Sequence, residues 1–491
     1  MNAAVTLAVS IFLVSAAVLT AVFSNRLSTV IRVPAPAIFL VVAAILAKVF
    51  PALGSLPRAT GEGLVTIALV FILFDGGMHI GWRRFRKSLG AISLAGLAGT
   101  ALTAAALTAV AYFLFGFDLR LALLLGAALS PTDPAVVFSV LGKREISGRS
   151  GTILEGESGA NDPVGIALMV SLLAATGVGA GAITDGILEF LLQMVVGAVV
   201  GIIGGWALAK LMRHVALPNE ALYSIRTIAA AGLIYGAATL LHGSGFLAVL
   251  LAGILVGDAH APFKREIQRF SGGIAALAEI AAFAILGLSV PLDVVLEPGV
   301  LVTGLVIAGL LIVLIRPVFV GLVLIPVRLR WGERAFILWA GLKGAVPILL
   351  GMFVLDAHIP GATRLYGIIF VVVLVSVTVQ GGLVPLFARL FRVPTRVVEA
   401  EPWASGLRFR ERPEGMLELV VDKGSPADGS TIDSLQLAED GWVSLIRRDG
   451  RLVQVRGTTR LAAGDVVLVL GEEPLRLKAM FGRPDHGADK G

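Results

Sequence analysis

From residue 4 to residue 388 the chain is a succession of apolar runs joined by short polar connections. A helix crosses a bilayer with about 20 predominantly apolar residues. Backbone amides placed in lipid must be satisfied within their own segment. A chain that repeats such runs therefore folds as a polytopic bundle of membrane helices. About thirteen runs of that length can be marked, near 4–23, 33–50, 62–79, 89–115, 120–141, 157–178, 186–209, 224–242, 244–258, 272–291, 298–326, 333–355 and 365–388. The shortest, 244–258, is the weakest of them as a span. The first has no basic segment before it and further runs follow at once, so it reads as a first helix rather than a cleaved leader.

The charges in the connections test this count. One set carries Arg26; Arg83, Arg84, Arg86 and Lys87; Lys143, Arg144 and Arg149; Lys210 and Arg213; Lys264, Arg265 and Arg269; Arg328, Arg330 and Arg334; and Arg389 with Arg392. The alternate set holds little base beyond Arg58, Arg120 and Arg364. Basic connections belong on the cytoplasmic side, and one misplaced span would invert the alternation from that point on. The pattern predicts an odd number of spans in the cell inner membrane, with the N-terminus outside and the C-terminus in the cytoplasm.

Of the 491 residues, 57% are hydrophobic and 15% charged, against about a quarter charged in an ordinary soluble domain. Charge density rises after residue 395. The chain thus divides into a membrane domain over 1–395, a small cytoplasmic domain over 400–482 and a flexible tail over 483–491. The absence of cysteine excludes disulfides, iron–sulfur clusters and thiolate-bound zinc. The six histidines show no metal-ligand spacing. The pI of about 9.8 comes from one set of membrane connections, so lipid rather than nucleic acid is the partner it implies.

Ionisable groups inside spans cost about 2.5–3.5 kcal/mol each on insertion scales and mark candidate functional positions. Those picked out are Asp75, Asp133, Glu157, Asp162, Arg316 and Lys343. Ser130-Pro131-Thr132-Asp133-Pro134 falls in mid-span. Two prolines three apart break a helix and free its carbonyls. At membrane depth such backbone is tolerated where it lines a cavity or is buried in protein. A plain kink is the alternative, but an aspartate between the prolines favours an ion site.

Glu157-Ser158-Gly159-Ala160-Asn161-Asp162-Pro163 opens the next run. Ser158 and Asp162 share one helix face, and Glu157 and Asn161 the adjoining one. Hydroxyl, carboxylate and carbonyl oxygens suit a hard monovalent cation; helix capping at the membrane surface is the alternative. Asp75 is either an interfacial acid or a further oxygen of that site. Gly341-Leu342-Lys343-Gly344-Ala345-Val346-Pro347 interrupts a span in the second half. Gly/Pro-interrupted spans at 120–141 and 333–355 fit the paired broken helices of transporters built from inverted repeats. Lys343 can pair with the nearby acids. Arg316 can neutralise another, or tie helices together.

Together these motifs resemble the monovalent cation/proton antiporter family, in the branch of NhaP-like bacterial antiporters and eukaryotic sodium/proton exchangers. The resemblance covers about 1–395 and rests on Thr132-Asp133-Pro134, Glu157-Ser158 with Asn161-Asp162, and 341–347. It implies crossed broken helices, two inverted repeats, and a six-helix core that moves against a dimerisation domain in a homodimer. It implies that Asp162 binds cation or proton, with Ser158, Asp75 and the Thr132 backbone completing the site and Asp133 balancing the helix ends. Asn161 beside Asp162 resembles the electroneutral branch, since electrogenic relatives carry two aspartates there. Glu157 would pair with a basic residue of the second half. The family pattern places an arginine in a Gly-x-Arg-Gly motif; here the residue is Lys343, and the two cations are not equivalent in ion pairs.

The tail reads as an α+β module. It has strands at 416–421 and 465–470, a hairpin of 442–448 and 451–455 about Asp449-Gly450, a short helix at 430–437 and a last helix at 472–481. Residues 437–481 resemble the TrkA C-terminal (RCK-C) regulatory module. No Gly-rich dinucleotide-binding half precedes it. No cofactor is required by the resemblance, which leaves a small nucleotide at this module as an open ligand. This tail after an NhaP-like domain points to potassium/proton exchange, with sodium/proton exchange as the alternative.

A carboxylate held away from water lets proton and cation compete for one seat. A carrier that crosses only when loaded then exchanges one for the other. An ion channel with a regulatory tail would carry a selectivity filter such as TVGYG, which this sequence lacks. A membrane-embedded enzyme would need a serine–lysine, HExxH or paired-aspartate pattern, and none is present.

Overall fold

The computed structural model describes residues 34–50, 57–141, 144–146, 149–175, 180–259, 261–397, 416–435, 442–449, 451–470 and 474–482, with the single positions 19, 53 and 437. The chain falls into two compact units, Met1–Val398 and Glu399–Gly491. The run expected at 4–23, apart from position 19, and the tail 483–491 lie outside the described residues.

In the first unit the apolar runs become helices: α1 (Ala35–Val49), α2 (Arg58–Ile80), α3 (Trp82–Ser93), α4 (Thr100–Phe113), α5 (Leu119–Leu129), α6 (Ala135–Leu141), α7 (Arg149–Ala174), α8 (Ala180–His214), α9 (Glu220–Leu240), α10 (Gly245–Gly257), α11 (Lys264–Leu288), α12 (Pro298–Leu310), α13 (Trp331–Trp339), α14 (Ala345–Asp356), α15 (Ala362–Val375) and α16 (Val384–Leu390). Among the described residues, seven helices are long and apolar enough to cross a membrane, and four shorter apolar ones accompany them. The unit is that of a multi-pass membrane protein. The marginal run 244–258 forms α10, which is buried along most of its length against α2, α8 and α9. Its 13 residues make it shorter than a full membrane span.

Two expected spans are interrupted where the sequence breaks them. Pro131 and Pro134 end α5 and restart the chain as α6. The stretch 340–344 separates α13 from α14, whose third residue is Pro347, a first-turn position that proline tolerates. The two breaks touch: Asp133 N donates to Leu342 O at 2.8 Å. Three further stretches, Leu94–Gly99, Leu311–Val320 and Ser376–Gln380, wind as π-helix. Such widened turns are frequent at functional sites. A short antiparallel pair joins β1 (Arg144–Ile146) to β2 (Thr395–Val397), with Glu145 opposite Arg396.

In the second unit β3 (Met416–Val420), β4 (Trp442–Arg448), β5 (Arg451–Val453) and β6 (Val466–Leu470) form an antiparallel sheet in the order β3-β6-β4-β5. Alternate residues of β6 point inward, while in β4 a register shift between Val443 and Leu445 puts the buried Val443 and Ile446 three apart; these two, with Val467 and Val469 from β6, meet Leu477 and Phe481 of α17 (Pro474–Phe481). The hairpin closes with Arg448 opposite Arg451. Asp449 takes the positive φ of 49° that a two-residue turn demands. The helix expected at 430–437 is instead a single 3₁₀ turn, Asp433–Leu435. Ser430 and Ile432 donate to Ala427 and Thr459 there, so the backbone bonds that a helix would need are spent on neighbouring loops.

Asp465 is wholly buried and accepts from Arg448 Nε at 2.8 Å, Arg448 Nη2 at 2.7 Å and Ala462 N at 2.8 Å. The Arg448 hydrogen bond holds its carboxyl below the usual carboxylate range. A lowered folded-state pKa stabilises above the unfolded value and is lost as pH falls through the folded one. The 399–491 unit should therefore lose urea resistance in an acid step below about pH 4. Asp465→Asn should lower the midpoint at neutral pH and remove the step. An unchanged acid limb in that variant would show that other groups set it.

Candidate cation-binding site

The site lies where the two broken helices cross in front of α7. A helix ends on free carbonyls that carry partial negative charge, and begins on free amides that carry the opposite sign. At the end of α5 the Lys343 ammonium donates to Ser130 O at 3.1 Å and Pro131 O at 2.8 Å. At the start of α14 the Asp133 carboxylate stands over Gly344, where any side chain would overlap it. Each break thus places one charged side chain at the helix end of the other.

Lys343 is held in turn. Its backbone N donates to Ser376 Oγ at 2.9 Å, and Ser376 Oγ donates to Gln380 Oε1 at 2.7 Å. Gln380 reaches back to the Trp339 carbonyl, the last of α13, while Trp339 Nε1 donates to Gln380 O at 3.2 Å. Ser376 and Gln380 were not among the sequence candidates. Their signal was two polar residues four apart inside the apolar run 365–388, the spacing of one helix face.

The pairing expected between Glu157 and Lys343 is not made. Glu157 Oε1 pairs with Arg316 Nη1 at 2.8 Å, with side chains 2% and 4% exposed. Arg316 also donates from Nε to Leu338 O at 2.9 Å and from Nη2 to Ile337 O at 3.0 Å, so it caps the end of α13. Two features explain the exchange of partners. Arg316 sits in the π-helical stretch Leu311–Val320, and Gly341 has no side chain where the guanidinium lies. Lys343, 1% exposed, is occupied by the carbonyls of α5 and feels Glu157 only through space.

Asn161, Asp162 and Ser158 are buried on α7. Asn161 Nδ2 donates to Thr132 Oγ1 at 2.7 Å, and Thr132 N donates to Asn161 Oδ1 at 3.3 Å. The amide therefore fixes the break rather than facing away from it. Asp162 stands next in sequence, with Asp133 and Lys343 as the charges that act on it. Its Oδ1 is buried without a hydrogen-bond partner among the described residues. A buried carboxylate oxygen with no hydrogen-bond partner calls for an explanation, and a bound proton or hard cation is one that its chemistry allows. Ser158 lies one turn before it. Asp75 lies on α2, where its Oδ2 is 3.2 Å from His79 Nδ1 and its Oδ1 faces Gly272 of α11.

Residues 13–390 match the family model described as "Sodium/hydrogen exchanger, transmembrane". The chain belongs to the sodium/hydrogen exchanger family. It is thereby a secondary cation/proton antiporter, and residues 416–477 match the TrkA-C domain expected in its tail. This exchanger is 34% identical over 448 residues to a "K(+)/H(+) antiporter NhaP2" of Shewanella baltica (strain OS223), covering 87% of this chain and 76% of that one. It is 36% identical over 359 residues to a "K(+)/H(+) antiporter NhaP" of Alkalimonas amylolytica, covering 70% and 62%. Its fold is that of the sodium proton antiporter MjNhaP1 from Methanocaldococcus jannaschii, with TM-score 0.65 at 20% identity over 76% of this chain and 99% of that one.

Proposed function

We propose that the exchanger moves potassium, in preference to sodium, against protons in a one-for-one cycle centred on Asp162. The observation that carries the reading is the buried, unsatisfied Asp162 Oδ1 beside a crossing whose helix ends are already neutralised by Lys343 and Asp133. With those charges balanced locally, Asp162 is left to exchange its own. A proton or one monovalent cation neutralises it equally. The empty, charged form is costly to carry past a low-dielectric barrier, so the carrier crosses loaded. Thr132 and Ser158 supply the neighbouring oxygens.

Potassium is favoured by the names of the NhaP2 and NhaP relatives and by the TrkA-C tail, a module that resembles potassium-transport regulators. A dimer, thirteen spans in two inverted repeats, and a cytoplasmic C-terminus complete the proposal. Loop charge supports that orientation. The cation site at Asp162, Ser158, Thr132 and Asp75 needs no resident cofactor. A small nucleotide remains the candidate ligand for the tail.

The test is a cation panel on purified protein in vesicles that hold a proton-sensitive dye. Potassium should drive proton release at least as well as sodium, and a valinomycin-imposed voltage should leave the coupled rate within about twofold. Sodium outrunning potassium would overturn the preference. Steep voltage dependence would overturn one-for-one exchange and make Lys343 a second proton carrier. Uncoupled current would favour a channel.

A further inference from the structure

One carboxylate of the proposed cation site is held by a side chain that the exchange cycle leaves unused. His79 stands four residues after Asp75 on α2, one turn on and on the same face. Its Nδ1 lies 3.2 Å from Asp75 Oδ2 and 2.9 Å from Asp75 O. Both oxygens are acceptors, so Nδ1 carries the hydrogen and the ring donates to them. Asp75 Oδ1 is placed differently. It is buried, has no hydrogen-bond partner among the described residues, and faces Gly272 of α11, which has no side chain to fill the space before it.

The packing of α2 sets Asp75 at the depth of Asp162. A methyl group added to Gly159 of α7 would stand 3.8 Å from Ile80 Cδ1 of α2 and 2.9 Å from Leu250 Cδ1 of α10. One added to Gly77 of α2 would overlap the Leu250 carbonyl. Leu250 therefore lies against both helices at this level. Towards their other ends, Glu62 of α2 and Val170 and Leu173 of α7 line one cavity. The two helices thus run antiparallel. Going from the Leu250 level towards that cavity, Asp75 comes two residues from Gly77, about 3 Å, and Asp162 three residues from Gly159, about 4.5 Å. Two carboxylates, each with a buried oxygen that lacks a partner, share one level of the bundle.

We propose that His79 is a positioning residue for the transported cation: by holding Asp75 Oδ2 it fixes the carboxylate and leaves Oδ1 as the acceptor offered to the ion. This deepens the reading of Asp75 as part of the cation site and rests on it. A carboxylate free to turn among its rotamers must be ordered when the ion arrives. One already held by a bond from its own helix has less to lose on binding. The effect falls on affinity, because His79 acts through Asp75 and takes no part in the crossing of the loaded carrier.

Potassium titrations against the proton-dye signal in vesicles decide the matter, with His79→Ala, His79→Gln, Asp75→Asn and the double variant His79→Ala with Asp75→Asn run beside wild type. Asp75→Asn should raise the apparent KM for potassium about tenfold and His79→Ala about fivefold, the latter with a maximal rate within about twofold of wild type. Glutamine four residues after an aspartate can donate to it on a helix, so His79→Gln should bring KM back to within about twofold of wild type. In the Asp75→Asn background, His79→Ala should add less than about twofold, since the carboxylate it positions is gone. Wild-type KM in His79→Ala beside a raised KM in Asp75→Asn overturns the proposal and leaves the cation site standing. So does a full additional rise in the double variant, a failure of glutamine to restore affinity, or a loss confined to the maximal rate. Wild-type KM in Asp75→Asn removes Asp75 from the cation site, and the proposal with it. Should His79→Ala fail to insert, His79→Leu, which keeps bulk and lacks a donor, carries the test: an unchanged KM overturns the positioning role.

Discussion

Asp162→Asn protein, purified and correctly inserted, is expected to give no coupled cation–proton flux above that of empty vesicles. The substitution keeps the shape of the side chain. It breaks no hydrogen bond at Oδ1, which has no partner among the described residues. Removing a buried charge also lowers the cost of insertion, so expression should stay near wild type. The loss would then be chemical: an amide cannot be neutralised in turn by a proton and a cation. Asp162→Glu should retain part of the rate with a displaced pH profile, and Ser158→Ala should weaken cation affinity more than maximal rate. Wild-type exchange by Asp162→Asn would move the transported ion elsewhere, with Asp133 or Asp75 next in line.

Arg316→Met is expected to be the most destabilising of the charge removals. It strands Glu157, 2% exposed, without a cation and uncaps Leu338 and Ile337 at the end of α13. Breaking a buried pair from one side costs about 3–5 kcal/mol. Removing both members together leaves no stranded charge, so Glu157→Gln with Arg316→Met should recover much of the thermal stability. Lys343→Ala should cost less, about 1–3 kcal/mol for the carbonyls of Ser130 and Pro131 left without a donor. Thermal unfolding in detergent ranks the three. If Lys343→Ala proves the worst and Glu157→Gln rescues it, the acid is paired with lysine after all.

That ranking marks where the sequence was legible. Helix breaks could be read from Pro131, Pro134, Gly341 and Gly344, because proline and glycine act locally and in any context. The cluster of Ser158, Asn161 and Asp162 could be read from helical spacing alone. The partner of Glu157 could not. Arg316 is 27 positions from Lys343 in the chain, and what turns it inward is the π-helical stretch about it, which no period of 3.6 announces. Asn161 was legible as a neighbour of Asp162. Its grip on Thr132 is a tertiary contact across 29 residues. In the tail, the hairpin was legible because Asp449-Gly450 encodes its own turn. The 3₁₀ turn at Asp433–Leu435 was not, since distant loops take its hydrogen bonds.

The small pair of β1 and β2 has a mechanical consequence. Residues 144–146 are the bend between α6, which begins one residue after Pro134, and α7, which carries Asp162. Residues 395–397 follow α16 and lead out of the first unit. Backbone bonds between the two strands make them one clamp. A tug on the chain beyond residue 398 therefore does not load α16 alone. It is shared, through the strand pairing, with the segment 144–146 that lies in the chain between α6 and α7.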